Sequence, residues 1–448
     1  MKSKLTWGET VSVASLLFGL FFGAGNLIFP AFMGQAAGRN MLPALTGFLV
    51  TGVGLPLMGV ISLGITRTSG LQELSSRNGK SYGYFFTCAL YLTIGPFFAI
   101  PRCFTVPFET GIVPLLPKSF SPKLALFIFS LIFFAIMLFF SLKPGKILDW
   151  IGKFLTPAFL AVFGWIMITA LIRPAGGIAS AEPVGDYAIN PFVKGLLEGY
   201  NTMDALAGLA FGIIIVNVIR SLGVTIPGDI AKSTIRSGIL TAVIMSVIYA
   251  ITTVVGVQSL GIIPHANNGG EVLSAVARHY YHGIGGYLLA IMIFFACLKT
   301  TIGLVTSCGE TFEKMFPGKL SYKKWAIIFS LISLAIANVG LSGIIKLSIP
   351  VLMMLYPLAM TLILLALTEK LFRKDQTTYR IVTFVTLICA VGDLVANLPQ
   401  EAVSFLHIGF IPEFFARILP LYKIGLGWML PAGAAFCVAL VIYRIKES

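Results

Sequence analysis

The stretch Gly19–Pro30, with the sequence GLFFGAGNLIFP, lies in the middle of an apolar segment that runs from about residue 11 to residue 37. At about 1.5 Å of rise per residue, this segment is long enough to cross a bilayer as a helix. Its two central glycines weaken a helix, and Pro30 has no N–H to donate to the carbonyl of Asn26. The pattern predicts a helix that breaks at Gly23–Gly25 and restarts with Asn26 as its N-cap.

A break at membrane depth leaves backbone N–H groups and carbonyls without partners, and each such group costs several kcal/mol in lipid. These groups persist where they line a cavity or hold a ligand. The N–H end of the second half-helix suits an anion, and the unwound carbonyls suit a cation or an ammonium. We therefore interpret the break as a binding site. The alternative is that Gly23 and Gly25 only let a neighbouring helix pack closely.

Composition places the whole chain in a lipid bilayer. Of its 448 residues, 57% are hydrophobic and 11% are charged, whereas charged residues make up about a quarter of an ordinary soluble domain. A net charge of +14 in a soluble protein would suggest nucleic acid. Here the basic residues fall in short loops between apolar segments, so they indicate topology and we expect no nucleic-acid partner.

Windows of about 20 apolar residues predict an all-α integral membrane protein with twelve transmembrane segments. With the N-terminus inside, the inner loops and termini hold 21 of the 32 lysines and arginines, so both termini are predicted to be cytoplasmic. The long outer loops 173–190, 263–284 and 399–423 are candidate gates. The segments lie near residues 11–37, 41–66, 82–110, 122–142, 147–172, 191–219, 236–262, 285–315, 324–342, 346–368, 378–398 and 424–443.

A second interruption is predicted in the sixth segment, where Gly195–Gly208 is too polar to face lipid. Inverted-repeat transporters interrupt helices at corresponding positions of two halves, and the sixth segment is five on from the first. A single transmembrane domain, 1–448, would then hold repeats at about 11–172 and about 191–368, with helices at about 378–443 appended. Because each repeat has an odd number of helices, the two breaks can meet near the midplane.

Polar residues inside apolar segments are candidate functional residues. Asp204 follows the predicted break in the sixth segment, and its alternative role is a structural ion pair with a buried base such as Arg102. Thr300 and Thr301 in the eighth segment offer hydroxyl oxygens to a small cation. Lys299 beside them could occupy a cation site as a built-in charge, carry a proton, or only pair with an acid.

Four sequence motifs lie in the first, third, sixth and eighth segments. They are Phe22–Pro30, Gly95–Pro96 with Ala99–Arg102, Gly199–Tyr200 with Thr202–Ala207, and Gly303–Cys308. With these motifs the chain resembles the branched-chain amino acid:cation symporter family, the BrnQ-type (LIVCS) carriers of bacteria, along essentially its whole length. The resemblance implies a LeuT-like fold, a five-plus-five inverted repeat with helices 1 and 6 discontinuous.

The resemblance also implies a substrate site at the two breaks, with the substrate carboxylate on the backbone of the first and the ammonium on the sixth segment. The substrate-binding residues would be Gly23, Ala24, Gly25, Asn26, Tyr200, Asn201, Thr202 and Asp204. A Na⁺ site would use the carbonyls of Gly19 and Phe22 and the hydroxyls of Thr300 and Thr301, with Lys299 beside it. No resident cofactor is expected. Lys299 stands where the family pattern leads us to expect a threonine, which leaves proton coupling open.

The expected function is a secondary symporter of the bacterial cytoplasmic membrane that imports leucine, isoleucine and valine with Na⁺ by alternating access. The alternative is a proton-coupled transporter of apolar amino acids in which Lys299 substitutes for the sodium. A channel would need a continuous polar stripe or a charged ring. A membrane enzyme would need clustered carboxylates or a nucleophile with a base, and Asp204, Glu310 and Asp393 lie on different segments.

Overall fold

The computed structural model describes residues 2–117 and 119–447, and the regular elements within those ranges are helices. We number the helices by the predicted segments and mark the halves of an interrupted helix a and b. They are α1a (Trp7–Phe21), α1b (Ala24–Ala37), α2 (Met41–Leu49 and Leu55–Thr66), α3 (Lys80–Ile112), α4 (Pro122–Ser141), α5 (Pro144–Ile172), α6a (Pro191–Glu198), α6b (Asp204–Ser221), α7 (Pro227–Gly261), α8 (Gly269–Met315), α9 (Tyr322–Ala337), α10 (Leu341–Leu367), α11 (Gln376–Ala396) and α12 (Met429–Glu447). Short helices at Leu71–Ser75, Asp186–Ile189, Gln400–Leu406 and Phe410–Ile418 lie in the connections.

Ten helical stretches in the described part of the chain are long and apolar enough to cross a membrane. One of them, Ala24–Thr66, contains both α1b and α2, because only the short turn Gly38–Asn40 separates them. The helices α1a, α6a and α9 are shorter, with 15, 8 and 16 residues. With these shorter helices included, the twelve predicted segments are all helical, which confirms the all-α fold class.

The two broken helices pack against matching partners. Helix α1b makes its most extensive contact with α7, and α6a makes its most extensive contact with α2. The other halves use the same partners, since α1a also packs on α7 and α6b on α2, while α2 and α7 contact each other. Because α2 and α7 hold the same place in the first and second groups of five helices, this packing has the correspondence of an inverted repeat.

Glycines allow the backbones to touch at both of these crossings. A Cβ at Gly34 of α1b would meet the carbonyl of Thr253 on α7, and a Cβ at Gly256 of α7 would meet the backbone of α1b. At the other crossing, a Cβ at Gly47 of α2 or at Gly195 of α6a would overlap a carbonyl of the opposite helix. Small residues permit this close approach between membrane helices, so each broken helix is held tightly by its partner.

Several boundaries differ from the prediction. Helix α7 begins at Pro227 and not near residue 236, because its first turns are polar and escape a hydropathy window. The predicted outer loop 263–284 is wrong in part, since residues 269–281 are helical up to a kink at His282, which has φ 49°. The predicted loop 399–423 likewise contains two short helices. The apolar residues of these helices are interspersed with polar ones, so the helices contain no continuous apolar run of transmembrane length.

Candidate functional site

The first helix breaks over two residues. Helix α1a ends at Phe21, Phe22 has φ −76° and ψ 85°, and Gly23 is the N-cap of α1b. The prediction of Asn26 as N-cap was wrong, because Asn26 is the third residue of α1b. Its side-chain oxygen accepts a hydrogen bond from the N–H of Gly23 at 3.0 Å. Asn26 therefore caps the helix from inside its first turn, as the last residue of a capping box does, and the helix begins earlier than the sequence suggested.

The sixth helix breaks over Gly199–Met203. Met203 has a left-handed backbone with φ 66°, and Asp204 directly after it begins α6b. Thr202 holds this turn, because its hydroxyl donates to the carbonyl of Gly199 at 2.8 Å and accepts from the N–H of Asp204 at 3.3 Å. The break therefore lies within the polar stretch Gly195–Gly208 of the sequence.

A buried hydrogen-bond network joins the two breaks. The amide Nδ2 of Asn26 donates to the carboxylate of Asp204 and lies 2.5 Å from the hydroxyl of Tyr249 on α7. The hydroxyl of Tyr249 donates to the same Asp204 oxygen at 3.1 Å. All three side chains are buried. Since hydrogen bonds to an ionised carboxylate are among the strong ones, this network ties α1b, α6b and α7 together at the centre of the bundle.

A small cavity of about 20 Å³ lies between the breaks and has room for about one water molecule. Its lining combines the residues of the breaks and other polar residues with apolar side chains. The first group contains Gly23, Ala24, Gly25, Asn26, Arg102, Thr202, Asp204 and Thr300. The apolar side chains include Leu20, Phe21, Ile94, Ala207, Phe211 and Leu304. A larger ligand requires the walls to move apart, so this conformation is closed around the site.

The ammonium of Lys299 binds one of the groups that the resemblance assigns to the cation, the carbonyl of Phe22. Its ammonium Nζ donates to the carbonyl of Phe22, at the end of α1a, at 2.6 Å. The rings of Phe18, Phe22 and Phe159 surround it, with centroids 4.6 to 5.3 Å from Nζ. A helix C-terminus and aromatic faces both stabilise a cation. No carboxylate in residues 2–117 and 119–447 lies within 4.0 Å of this ammonium, so here Lys299 is not paired with an acid.

The two threonines of the predicted cation site differ in orientation. The hydroxyl of Thr300 donates to the carbonyl of Gly19 at 3.3 Å, and its side chain also lies against Gly23. The hydroxyl of Thr301 donates to two carbonyls of α8 one turn before it, both at 2.9 Å. The structure therefore brings Thr300 to the predicted site and leaves the hydroxyl of Thr301 bonded within its own helix.

Arg102 of α3 binds the short helical turn Gly199–Thr202, which directly continues α6a and ends the first half of the sixth helix. Its Nη1 donates to the carbonyl of Asn201 at 2.9 Å and its Nη2 to that of Thr202 at 3.5 Å. It does not form an ion pair with Asp204, which was the alternative role for that acid. Because α3 and α8 hold the same place in the two repeats, each broken helix has the carbonyl end of its first half covered by a buried cation from the equivalent helix.

Two predicted substrate-binding residues turn their side chains away from the cavity. Tyr200 stacks on Tyr356 of α10 with ring centroids 4.2 Å apart, and its hydroxyl donates to the sulfur of Met360 at 3.4 Å. The amide of Asn201 donates to Glu198 at 3.4 Å. Their contact with a substrate stays a prediction.

Sequence reasoning missed three contributors to the site. Tyr249 is a hydroxyl in the middle of an apolar helix, where it needs a buried partner, and this signal was available. Phe18 and Phe159, which flank the ammonium of Lys299, carry no comparable signal. With 36 phenylalanines in the chain, the sequence does not distinguish these rings from ordinary lipid-facing or packing residues.

Discontinuous first and sixth helices are a feature of one class of transporter folds, and solved structures have the same fold. Mhp1, a nucleobase-cation-symport-1 family transporter in a closed conformation with bromovinylhydantoin bound, is similar with a TM-score of 0.62 and 14% identity over 97% of this chain and 92% of Mhp1. An Eremococcus coleocola manganese transporter has a TM-score of 0.59 and 13% identity over 97% of this chain and 94% of that one. These likenesses show the fold, which is LeuT-like with a five-plus-five inverted repeat.

The sequence shows the family. A family described as branched-chain amino acid transport protein matches residues 7–446. The branched-chain amino acid permease BrnQ of Lactobacillus delbrueckii subsp. lactis is 58% identical over 98% of each chain, and that of Bacillus subtilis is 41% identical over 100% of each. The chain belongs to the branched-chain amino acid transport protein family, which confirms the resemblance read from its motifs. It is a multi-pass membrane transport protein and not an enzyme.

Proposed function

We propose that this chain is a secondary transporter that imports leucine, isoleucine and valine by alternating access, in symport with a cation. The observation that carries the proposal is the meeting of the two breaks at the network of Asn26, Asp204 and Tyr249. There a carboxylate and the N-terminal N–H groups of α1b border one cavity, which suits the ammonium and the carboxylate of a free amino acid.

The apolar residues of the cavity lining support a branched aliphatic side chain as the third part of the ligand. Phe21, Phe211 and Leu304 offer hydrocarbon surface, and Ala207 is small. We expect modest discrimination among the three amino acids, because one methylene in an apolar pocket contributes about 1–3 kcal/mol.

We further propose that the protein lies in a bacterial cytoplasmic membrane with both termini in the cytoplasm. The support is the excess of lysine and arginine in the loops on the side of the termini. The repeats at about 11–172 and about 191–368 belong to the same proposal, and the reciprocal packing of the broken helices on α2 and α7 supports them.

Two coupling ions are proposed. The resemblance points to Na⁺ at the carbonyls of Gly19 and Phe22 and the hydroxyls of Thr300 and Thr301. The second candidate is a proton-coupled transporter in which Lys299 takes the place of the sodium. The 2.6 Å hydrogen bond from Lys299 to the carbonyl of Phe22 favours this candidate, because a resident positive charge repels a second cation at the same oxygen.

The test is uptake of labelled isoleucine into proteoliposomes that hold the purified protein, with a sodium gradient and a pH gradient imposed separately. Uptake driven by sodium supports Na⁺ symport with Lys299 displaced or tolerated. Uptake driven only by an inward proton gradient supports Lys299 as the substitute for sodium. No gradient-driven uptake of isoleucine, leucine or valine would overturn the transport proposal.

Lys299→Thr is the matched variant for the same assay. A threonine removes the resident charge and adds a hydroxyl oxygen near the carbonyl of Phe22. If Lys299 takes the place of sodium, the variant becomes sodium-dependent while the parent is not. Equal dependence on sodium in both proteins contradicts this substitution.

A further inference from the structure

The guanidinium of Arg102 is a buried cation with hydrogen-bonding capacity left over. The residue is 5% exposed. Its two terminal nitrogens reach the carbonyls of Asn201 and Thr202, and its Nε has no partner. A guanidinium carries five N–H donors in a planar fork, so Arg102 can bind a further acceptor without giving up the end of α6a.

Among the described residues, no carboxylate lies within 4.0 Å of the nitrogens of Arg102. The ion pairs formed by the described residues do not include it, and its contacts are neutral carbonyls and the ring of Phe29, 5.6 Å from Cζ. Burying a charge is costly unless an opposite charge accompanies it. A buried arginine that lines a cavity and forms no ion pair of its own is therefore suited to bind an anion from outside the protein.

The N-terminus of α1b points to the same place. Helix α1b has 14 residues, and the N–H groups of its first turn have no carbonyl partners within the helix. A Cβ at Gly25, in that first turn, would lie 3.0 Å from Nη2 of Arg102, so the guanidinium sits directly against the backbone there. The positive end of a half-helix and a guanidinium thus border the same cavity, where both favour an anion.

We propose that Arg102 binds the carboxylate of the amino acid substrate, together with the first turn of α1b. Asp204, on the same cavity, takes the ammonium. The inference rests on the proposed function and extends it, since it assigns a charged side chain to the carboxylate in addition to the backbone. A purely structural role, in which Arg102 only ties α3 to α6a, predicts equal effects on ligands with and without a carboxylate.

The experiment measures equilibrium binding of leucine, leucinamide and isopentylamine to the purified full-length protein. All three carry the ammonium and the branched chain, and leucine alone carries the carboxylate. For Arg102→Gln, the ratio of leucine to leucinamide affinity should fall at least about tenfold, because charge-assisted bonds to the carboxylate are lost. The affinities for leucinamide and isopentylamine should change less than about threefold, since Arg102 does not contact their shared parts.

Arg380→Gln is the matched control. Like Arg102, Arg380 donates to a backbone carbonyl, here from its Nε to the carbonyl of Asn78 at 3.2 Å. Arg380 lies on α11 and does not line the cavity. The ratio of leucine to leucinamide affinity should not change in Arg380→Gln. If Arg102→Gln does not fold, Arg102→Lys keeps the charge and loses the planar fork that pairs with a carboxylate in two bonds, so the ratio should fall partway.

A ratio unchanged in a folded Arg102→Gln, or unchanged in Arg102→Lys where the glutamine variant does not fold, would overturn the assignment of Arg102. A parallel loss of affinity for all three ligands would overturn it as well. No binding of any branched-chain amino acid by the unmodified protein would instead overturn the proposed function, and the inference with it.

Discussion

Lys299 and Arg102 each place a positive charge at the carbonyl end of a half-helix, one at the end of α1a and the other at the end of α6a. Their surroundings differ. Lys299 is enclosed by three phenylalanine rings and has one short hydrogen bond to a carbonyl. Arg102 has two carbonyls, one ring and an Nε without a partner. The cation at the first break is therefore enclosed by aromatic rings, whereas the cation at the second break has an N–H group without a partner and lines the cavity.

This difference assigns two roles to two similar charges. In the proton-coupled proposal, the enclosed ammonium of Lys299 binds the end of α1a and takes the place of a sodium ion. In the proposal for Arg102, the N–H group without a partner is available to a ligand in the cavity. Substitutions in and around the cavity test these two roles, and Asp204, which lies in the cavity, is the first of them.

Asp204→Asn should have the largest effect, because Asp204 supplies the carboxylate among the described residues that line the cavity. The change removes the negative charge from the cavity and weakens the bonds from Asn26 and Tyr249. Hydrogen bonds to charged groups contribute about 1.5–3 kcal/mol each, so we expect isoleucine uptake to fall about 100-fold. The initial rate of uptake in proteoliposomes measures this. A rate within threefold of the parent, at equal protein content, would contradict the role of Asp204.

Lys299→Met tests the role of the enclosed ammonium at the first break. Methionine keeps an unbranched stem among the rings but leaves the carbonyl of Phe22 without its donor, at a cost of about 1–3 kcal/mol. We expect uptake to fall about tenfold, while thermal stability changes little because the desolvation cost of the ammonium is removed as well. Uptake rates and melting curves measured on the same samples separate the two effects. Unchanged uptake would make Lys299 a packing residue only.

Tyr249→Phe tests the network that joins the breaks. The loss of one hydroxyl leaves Asn26 bonded to Asp204, so we expect the half-saturating concentration of isoleucine to rise about three- to tenfold, which corresponds to about 1 kcal/mol. The concentration dependence of uptake measures it. A rise of more than about 100-fold would mean that Tyr249 contacts the substrate itself.

Thr300→Val and Thr301→Val should have the smallest effects on uptake, and the difference between the two variants tests the proposed cation site. The hydroxyl of Thr300 reaches the carbonyl of Gly19, whereas that of Thr301 bonds within α8. We expect about a threefold loss of uptake for Thr300→Val and less than about twofold for Thr301→Val, since bonds of this local kind contribute little. Equal rises in the sodium concentration needed by both variants would instead support a sodium site that uses both hydroxyls.

The sequence by itself determined the class of protein and the location of both breaks. Glycines, a proline and an acid inside apolar segments each raise the free energy of a helix in lipid, so they indicate a break or a functional site. These costs are visible without knowing which helices are neighbours. The N-cap of α1b was nevertheless predicted three residues too late, at Asn26 and not at Gly23. The hydrogen bond from the N–H of Gly23 to the side chain of Asn26 forms only in the folded turn.

The tertiary structure alone decided where the polar side chains point. Successive residues of a helix differ by about 100° in direction, so sequence could not tell that Lys299 meets the carbonyl of Phe22 while Thr301 turns back into α8. It also could not bring Tyr249 of α7 to the two breaks, or set Arg102 against Gly25. These contacts join segments far apart in the chain, and they exist only once the helices have packed around the breaks.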